Sequence, residues 1–567
     1  MLKPETKIAV KLMILSIFVH LWSPGFQFLS NQFTYYRFLT DAGLPYEPPT
    51  ENKSLPDPDK ELRDEVQKKT AHFVPLLNIA LLLPGIVSSF IISSLSDHYG
   101  RRLAMGVLFI GLTSNVIISS FVILLELNIN FLILACLMSG CFGGGLLSYS
   151  GQIAVCCTDI TNIPSEEELV LVNSENIQAS MERRRLLYLG VYDAICVLSS
   201  AAAITVTGVL IDHYGFVATC LVLLSLCALS MGILWCVPET QLINVQVNSP
   251  PVVGDNLGAD ASPYVDVNHS DVHFLSSDQL ESNINRWLSK LTSMFRFVRN
   301  ANVTTIFIIV VLFLTTLTTY GEGQYTFLYL MGPPFNWSVD QYGYYSGISN
   351  ALLGLLSFIL IMLTIHWMKL VKQPQPSEST YEPLLTNQSV PSYNSVHEVD
   401  SIEFTRNRRA INRIIQNQVL RARRRTIKYA LLGMFSIVVS KLLMGIAYLF
   451  SYPGHNILIF VSLIVCTFRS AVVPVLKSFV STLYKSRLQS RLFSVVAASE
   501  YLGLLTGMAT LPFIYAASVS YCSGTVFIVS SGLALIAFVL LLYVSRYTKV
   551  EIRRINLNQP NVVEVGE

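Results

Sequence analysis

Long apolar stretches alternate with polar connections along nearly the whole chain. An α-helix rises about 1.5 Å per residue, so a stretch of more than about 20 residues crosses a hydrocarbon layer roughly 30 Å thick. Lipid offers no partner to backbone N–H and C=O groups, which predicts helices for these stretches rather than strands. We number the predicted spans 1 to 12 in this order: 8–29, 71–95, 103–125, 130–157, 187–210, 216–237, 303–330, 342–368, 427–451, 456–482, 491–516 and 524–546.

The composition agrees with a membrane protein. Of the 567 residues, 52% are hydrophobic and only 13% are charged, whereas soluble domains carry about 25% charged residues. The mean hydropathy is +0.50. A net charge of +2 gives no reason to expect a nucleic-acid partner. The sequence therefore predicts an all-α membrane protein.

Basic residues are concentrated on the connections that share one side of the predicted membrane. Lys and Arg are enriched in cytoplasmic connections, which predicts that this side, with both termini, is cytoplasmic. The residues are Lys3, Lys7, Arg101, Arg102, Arg183 to Arg185, Arg296, Arg299, Arg421 to Arg425, Lys485, Arg487, Arg553 and Arg554.

Two long polar connections divide the chain. Each half would hold six spans, with a tail after span 12. The predicted units are an N-terminal bundle (1–237), a cytoplasmic central loop (238–302), a C-terminal bundle (303–546) with a long cytoplasmic loop at 369–426, and a cytoplasmic tail (547–567).

The tetrapeptide Asp-His-Tyr-Gly occurs twice, at 97–100 after span 2 and at 212–215 after span 5. The two copies are predicted on opposite sides of the membrane. Transporter halves are often built from three-helix units of inverted topology. The placement of the two copies indicates such an inverted repeat.

The connection after span 2 reads Asp-His-Tyr-Gly-Arg-Arg over 97–102, preceded by Ser93 and Leu95. It resembles the loop signature of the major facilitator superfamily, with Ser93 where the family usually has Gly. Further segments resemble the solute carrier 46 family, the group of the proton-coupled folate transporter, and especially its lysosomal branch for steroid conjugates and bile acids. These segments are Asn31–Tyr35, Glu65–Lys69, Leu83–Ser88, Ser96–Arg101, Arg185–Ala194 and Lys477–Ser494.

The resemblance implies a major facilitator fold of twelve transmembrane helices in two six-helix bundles. It also implies a proton-coupled symporter that moves a small organic anion by alternating access. The protein is therefore not expected to be an enzyme. Family members carry folates, steroid or bile-acid conjugates, or peptide-like metabolites. No cofactor is expected beyond the proton as coupling ion. Two alternatives stay open: a facilitative uniporter of the same fold, and a non-transporting membrane receptor or scaffold that uses loop 369–426.

The chain departs from the family at two positions. Family members often join the first outer loop to the loop after span 7 by a disulfide. Here the first loop has no Cys and Asn336 occupies the matching position, so that bridge is expected to be absent. Lys477 replaces the usual Arg of span 10; Lys keeps the charge but lacks the fork that binds a carboxylate in two places.

Charged residues inside a span cost roughly 2.5–3.5 kcal/mol each on insertion scales, so each needs a function or a partner. The resemblance aligns Asp193 with the family acid of span 5, which makes it the first proton-coupling candidate, and Glu322 is the second. Lys477 and Arg469 are the substrate-binding candidates. Lys441 and Glu500 are predicted to form structural pairs.

Each of these roles has a structural alternative. Asp193 would then form a permanent ion pair, and Lys477 would extend to the membrane interface. Glu322 lies between two glycines, where a helix is able to break, and Lys441 is a candidate partner for it. Arg469 would pair with Glu500 across spans 10 and 11.

The loop after span 2 is predicted to gate transport. Asp97 would face the helix N-terminus near Leu492, where the helix dipole favours a carboxylate. Arg101 is expected to contact Asp159 at the end of span 4. The alternative is that Arg101 and Arg102 serve only to orient the chain in the membrane.

Other motifs concern modification and location. Asn52 and Asn336 lie in Asn-x-Ser sequons on the predicted non-cytoplasmic side and are candidate glycosylation sites. No spacing typical of a metal site is present. Tyr381–Leu384 resembles a tyrosine-based sorting signal for an adaptor. Together with the resemblance it favours a lysosomal or endosomal membrane, with the plasma membrane as the alternative.

Overall fold

Helices make up the regular secondary structure of the computed structural model, which describes residues 4–46, 60–161, 174–240, 299, 301–370, 427–481 and 486–557. No strand occurs within these ranges. The α-helices are α1 (Pro4–Asp41), α2 (Lys60–Tyr99), α3 (Arg101–Leu124), α4 (Phe131–Cys141), α5 (Leu146–Thr161), α6 (Ser174–Trp235), α7 (Val303–Tyr320), α8 (Gly323–Met331), α9 (Val339–Leu370), α10 (427–446), α11 (Gly454–Cys466), α12 (Val472–Ser481), α13 (Ser486–Ser518) and α14 (Thr525–Leu557).

Helices lie at all twelve predicted spans, although some spans join into one helix and others are split into two. Ten helical segments of the described chain are long and apolar enough to cross a membrane. One of them, Leu187–Trp235, has 49 residues and contains Gly215 in a non-helical conformation with φ 76°. At about 1.5 Å per residue it is far longer than one membrane thickness, so it contains predicted spans 5 and 6.

The first two helices are longer than their apolar runs. Helix α1 has 38 residues and α2 has 40, because their ends on the predicted non-cytoplasmic side continue through polar sequence. Those ends are packed against protein: Tyr35 and Gln67 are both buried. A run defined by hydropathy alone stops too early where polar residues are covered by protein.

Predicted span 4 is two helices, separated at residues 142–145. The glycines at 143–145 all have positive φ, a conformation that side chains rarely adopt. Gly85 of α2 packs into this break so closely that a Cβ on it would lie 2.5 Å from the Gly144 Cα. The Ser88 hydroxyl donates to the Gly140 carbonyl at 2.6 Å, which satisfies an acceptor near the end of α4.

Predicted spans 7 and 10 are also interrupted. Helix α7 ends at Tyr320 and α8 begins at Gly323, so Glu322 lies between two helices. A 3₁₀ turn, Thr467–Ala471, separates α11 from α12. Short 3₁₀ stretches inside a longer helix often mark functional positions.

The two halves of the chain meet along two helix pairs. Helix α6 crosses α9 with backbone close to backbone: a Cβ on Gly208 would lie 3.1 Å from the Gly343 Cα. Helix α2 meets α13, where the Tyr515 hydroxyl donates to Gln67 Oε1 at 2.9 Å. Both of these contacts lie toward the side predicted to be non-cytoplasmic, and the α6–α9 contact continues toward the other side, where a Cβ on Gly354 would lie 2.9 Å from Val197 Cγ1.

Candidate substrate and proton sites

A buried cluster of three charges lies at the two helix interruptions of the second half. Glu322 Oε2 is 2.8 Å from Lys441 Nζ and 2.9 Å from Arg469 Nη1. The Lys441 side chain is 1% exposed, and those of Glu322 and Arg469 are 16% and 17% exposed. One carboxylate therefore serves two cations, and the cluster carries a net charge of +1.

Close packing against α13 explains the glycine before Glu322. A Cβ on Gly321 would lie 2.8 Å from the Gly507 carbonyl oxygen of α13, so only glycine fits there without displacement. The predicted break at Glu322 is confirmed, and Lys441 is the predicted partner. The interruption leaves the carboxylate at the junction of α7 and α8, within reach of α10 and of the 3₁₀ turn.

A second pair lies closer to the predicted cytoplasmic side. Lys477 Nζ is 2.9 Å from Glu500 Oε2, and the two side chains are 37% and 19% exposed. The suggested pairing of Arg469 with Glu500 is not found, because Arg469 contacts Glu322 instead. Since Glu500 already balances Lys477, Arg469 is the better placed of the two predicted substrate-binding residues.

Asp193 lies on α6 beside its contact with α9, and its side chain is exposed. Ser357 of α9 is its hydrogen-bond partner, with the hydroxyl 3.5 Å from Asp193 Oδ2. Within the described ranges no cation forms an ion pair with Asp193, so the structural pair considered as its alternative role is not found.

Tyr320 connects the charges of the two halves. This side chain at the end of α7 is 55% exposed, and it interacts electrostatically with Asp193, Arg469 and Glu500. Charged residues of α6, the 3₁₀ turn and α13 therefore lie within electrostatic range of this one side chain. Tyr320 was not among the predicted site residues; its position directly before Gly-Glu-Gly was the available signal.

The predicted contact of Arg101 with Asp159 is confirmed. Arg101 Nε lies 2.9 Å from Asp159 Oδ2, and Arg101 Nη1 donates to the Ser96 hydroxyl at 3.0 Å. The side chains of Arg101 and Asp159 are 13% and 9% exposed. The contact links α3 to α5 within the first half, and its role in gating remains a prediction.

Glu239 adds a contact that was not predicted. Its Oε1 accepts the backbone N–H of Arg101 at 2.8 Å, and its Oε2 accepts that of Arg102 at 3.0 Å. A carboxylate at this place satisfies free N–H groups at the start of α3 and interacts favourably with the helix dipole. Gly100, with φ 104°, allows the approach, because a Cβ there would lie 2.5 Å from Glu239 Oε2. An acidic residue directly after span 6, facing a basic loop, was the available signal.

The Asp97 side chain lies outside the described part of the structure, so its gating role stays a prediction. Helix α13 begins at Ser486, earlier than the start expected near Leu492. The expectation followed the apolar run, which begins only after the mostly polar sequence of residues 486–491.

The remaining predicted positions are distributed as follows. Asn336 is exposed in the connection between α8 and α9, while Asn52 and Tyr381–Leu384 lie outside the described residues. All ten cysteines are free. Within the described ranges, no group of three His, Cys, Asp or Glu residues is arranged to hold a metal ion.

Comparison with known proteins places this geometry in context. No protein-family model matches the chain. The lysosomal proton-coupled steroid conjugate and bile acid symporter SLC46A3 of Homo sapiens is 22% identical over 505 residues, covering 88% of this chain and 85% of that protein. The proton-coupled folate transporter of Rattus norvegicus is 30% identical over 129 residues, covering 22% of this chain and 28% of that protein.

Solved structures share the architecture. The human organic anion transporter MFSD10 (TETRAN) has a TM-score of 0.51 at 14% identity, covering 95% of this chain and 100% of that chain. The xylose transporter XylE from E. coli, in a partially occluded inward open conformation, has a TM-score of 0.50 at 8% identity. The match covers 95% of this chain and 98% of that chain. At these identities the likeness establishes the fold alone.

The chain has the fold of major facilitator transporters, and ten of its described helical segments are long and apolar enough to cross a membrane. Its curated relatives are transporters, in agreement with the prediction that the chain is not an enzyme. Within this class, those relatives confirm the resemblance to the solute carrier 46 family that the sequence motifs indicated.

Proposed function

We propose that the protein is a proton-coupled symporter that carries small organic anions by alternating access. The observation that carries this proposal is the Glu322–Lys441–Arg469 cluster, in which two cations share one carboxylate oxygen. A cation without its own counter-ion is costly in a membrane interior. An anionic group arriving beside Arg469 would neutralise that excess, so the site favours organic anions over cations or sugars.

Asp193 is the proposed proton acceptor. Its carboxylate is exposed, has a serine as its hydrogen-bond partner, and forms no ion pair within the described residues. A carboxylate free of cations is able to take up and release a proton without breaking a structural pair. This feature favours proton coupling over the uniporter alternative, which needs no titratable group in the transport path.

Steroid or bile-acid conjugates are the proposed substrates. The human relative that aligns with most of this chain is named for these compounds, while the folate transporter aligns with only a part of it. The aromatic side chain of Tyr320 is 55% exposed and lies within electrostatic range of Arg469, so an apolar ring system would find a contact beside the charge.

The test is uptake into proteoliposomes containing the purified protein. With an acidic exterior we expect uptake of radiolabelled estrone sulfate or taurocholate, abolished by a protonophore. Arg469→Gln should lose this uptake, whereas Lys428→Gln, which removes an exposed charge near the start of α10, should retain it. Uptake that ignores both the proton gradient and the protonophore would refute proton coupling.

The lysosomal or endosomal membrane is the proposed location. The human relative is named as lysosomal, and Tyr381–Leu384 has the form of a sorting signal. A fluorescently tagged chain should overlap with a lysosomal marker, and Tyr381→Ala should move part of it to the plasma membrane. A wild-type signal confined to the plasma membrane would contradict this location.

A further inference from the structure

The charges inside the membrane sum to zero, but the two halves share them unequally. Apart from residues within four positions of a span end, such as Lys11, the predicted spans hold three acids and three bases: Asp193, Glu322, Glu500, Lys441, Arg469 and Lys477. To this set the first half contributes only Asp193, and so adds −1 when that residue is ionised. The second half contributes the +1 cluster at Glu322 and the neutral Lys477–Glu500 pair.

Net charge matters when a carrier rearranges inside lipid. Charges are poorly solvated there, and an uncompensated one raises the energy of the state that holds it. The empty carrier with ionised Asp193 is neutral. A proton alone brings the sum to +1, a singly charged substrate alone brings it to −1, and the two together restore zero.

We propose that the halves exchange access only when the interior sum is zero, so that one proton travels with one singly charged anion and no net charge crosses. This inference rests on the proposed symport and adds the substrate charge, the stoichiometry and the reason for coupling. The preferred substrate is a monoanion, such as a sulfate monoester or a conjugated carboxylate on an apolar skeleton. A dianion would leave the loaded carrier at −1.

The structure indicates where each ligand resides. The proton is held on the Asp193 carboxylate, whose surroundings are Ser357 from α9, Tyr320 from α7 and Cys196 from α6 itself. Among the described residues no charged group of α1, α3 or α5 forms an ion pair with it. The anion binds Arg469, which is more exposed than Lys441 while both share Glu322.

The test measures the voltage dependence of transport. Wild-type protein is reconstituted with a fixed inward proton gradient, the membrane potential is clamped with potassium and valinomycin, and labelled estrone 3-sulfate, a monoanion, is the probe. We expect its steady-state accumulation to change less than about twofold between 0 and −100 mV. A carrier moving one net charge would change accumulation about fiftyfold, from about 2.3 kcal/mol per charge per 100 mV.

The matched comparison uses a second charge on the same skeleton. Estradiol 3,17-disulfate should be carried at less than a tenth of the rate of the monoanion, and negative interior potential should slow it further. Faster transport of the disulfate, or a fiftyfold voltage effect on the monoanion, would overturn the inference while leaving symport intact. Absence of uptake of both compounds would overturn the proposed symport of steroid conjugates and this inference with it.

A variant gives a second, independent readout. Asp193→Asn removes the negative charge permanently, as a bound proton would. The interior charge of the variant is therefore zero only when a monoanion is bound. The variant should exchange labelled for unlabelled estrone sulfate across the membrane yet lose net uptake at least tenfold, since the empty carrier is now at +1. Asp193→Glu should retain both activities. Undiminished net uptake by Asp193→Asn would contradict the inference.

Discussion

The two halves of this transporter hold the carboxylates of their spans in opposite ways. Glu322 in the second half is fixed by two cations at 2.8 and 2.9 Å. Asp193 in the first half has a 3.5 Å contact to a serine and forms no ion pair within the described chain. The acid with two cations joins three helical segments, whereas the acid without a cation is free to change its proton. Of the two carboxylates, Glu322 therefore has a structural role, and Asp193 is the one proposed to act in transport.

The largest expected effect is that of Glu322→Gln. This change leaves Lys441, which is 1% exposed, and Arg469 without a negative partner. Removing one partner of a buried ion pair costs about 3–5 kcal/mol. We expect a marked fall in the thermal unfolding temperature of the purified protein in detergent, measured by intrinsic fluorescence, together with loss of transport.

Glu500→Gln is the matched control for that change. Its partner Lys477 is 37% exposed and is able to extend toward the membrane interface. The expected loss is about 1 kcal/mol or less, as for exposed ion pairs. Equal loss of stability in both variants would show that the three-charge cluster has no special structural role.

Asp193→Asn should impair transport without loss of stability, whereas Glu322→Gln should reduce both. Since no ion pair is broken, stability should change by less than about 0.5 kcal/mol, as for exposed sites. Symport requires the protonated carboxyl, so wild-type uptake should fall as the external pH rises from 5.5 to 7.5, and the variant should lose this dependence. Tracer uptake across that pH series checks both statements; a variant that keeps the wild-type pH profile would exclude Asp193 as the proton acceptor.

Arg469→Lys separates charge from geometry within the cluster. Lysine keeps the net charge of +1 but lacks the planar fork that binds an oxyanion in two places. Hydrogen bonds to charged groups contribute about 1.5–3 kcal/mol, so KM for estrone sulfate should rise at least about tenfold. The maximal rate should change little. A fall in the maximal rate with unchanged KM would mean that Arg469 acts in the conformational change and does not bind substrate.

The smallest effect is expected outside the membrane, at Glu239. Replacing Glu239 by Gln weakens the contacts to the first N–H groups of α3. Helix caps contribute about 0.5–2 kcal/mol, so a small fall in unfolding temperature is expected while the proton dependence of uptake is retained. A larger loss than that of Glu322→Gln would reverse the proposed ranking of the two regions.

The sequence predicted the helices and located the charges inside the spans, because lipid makes both visible as patterns. Apolar length marks the spans, and the cost of insertion singles out residues such as Asp193 and Glu322. The Arg101–Asp159 contact was also predictable, since both residues lie at the same predicted membrane side.

Pairing and helix ends were less predictable. Whether Arg469 contacts Glu322 or Glu500 depends on the rotation and depth of separate helices, which one sequence does not encode locally. Helices α1 and α2 continue past their apolar runs because protein, in place of lipid, covers their polar ends. Glu239 reaches the start of α3 only after the chain has folded.

The central claim is that Asp193 carries the proton that accompanies an anion bound near Arg469. The most direct measurement is substrate-driven proton movement into proteoliposomes that begin with equal pH on both sides and contain a pH-sensitive dye. An inward gradient of estrone sulfate should acidify the interior in wild-type protein and should not do so in Asp193→Asn. Entry of estrone sulfate without acidification, or equal acidification by the variant, would contradict the account.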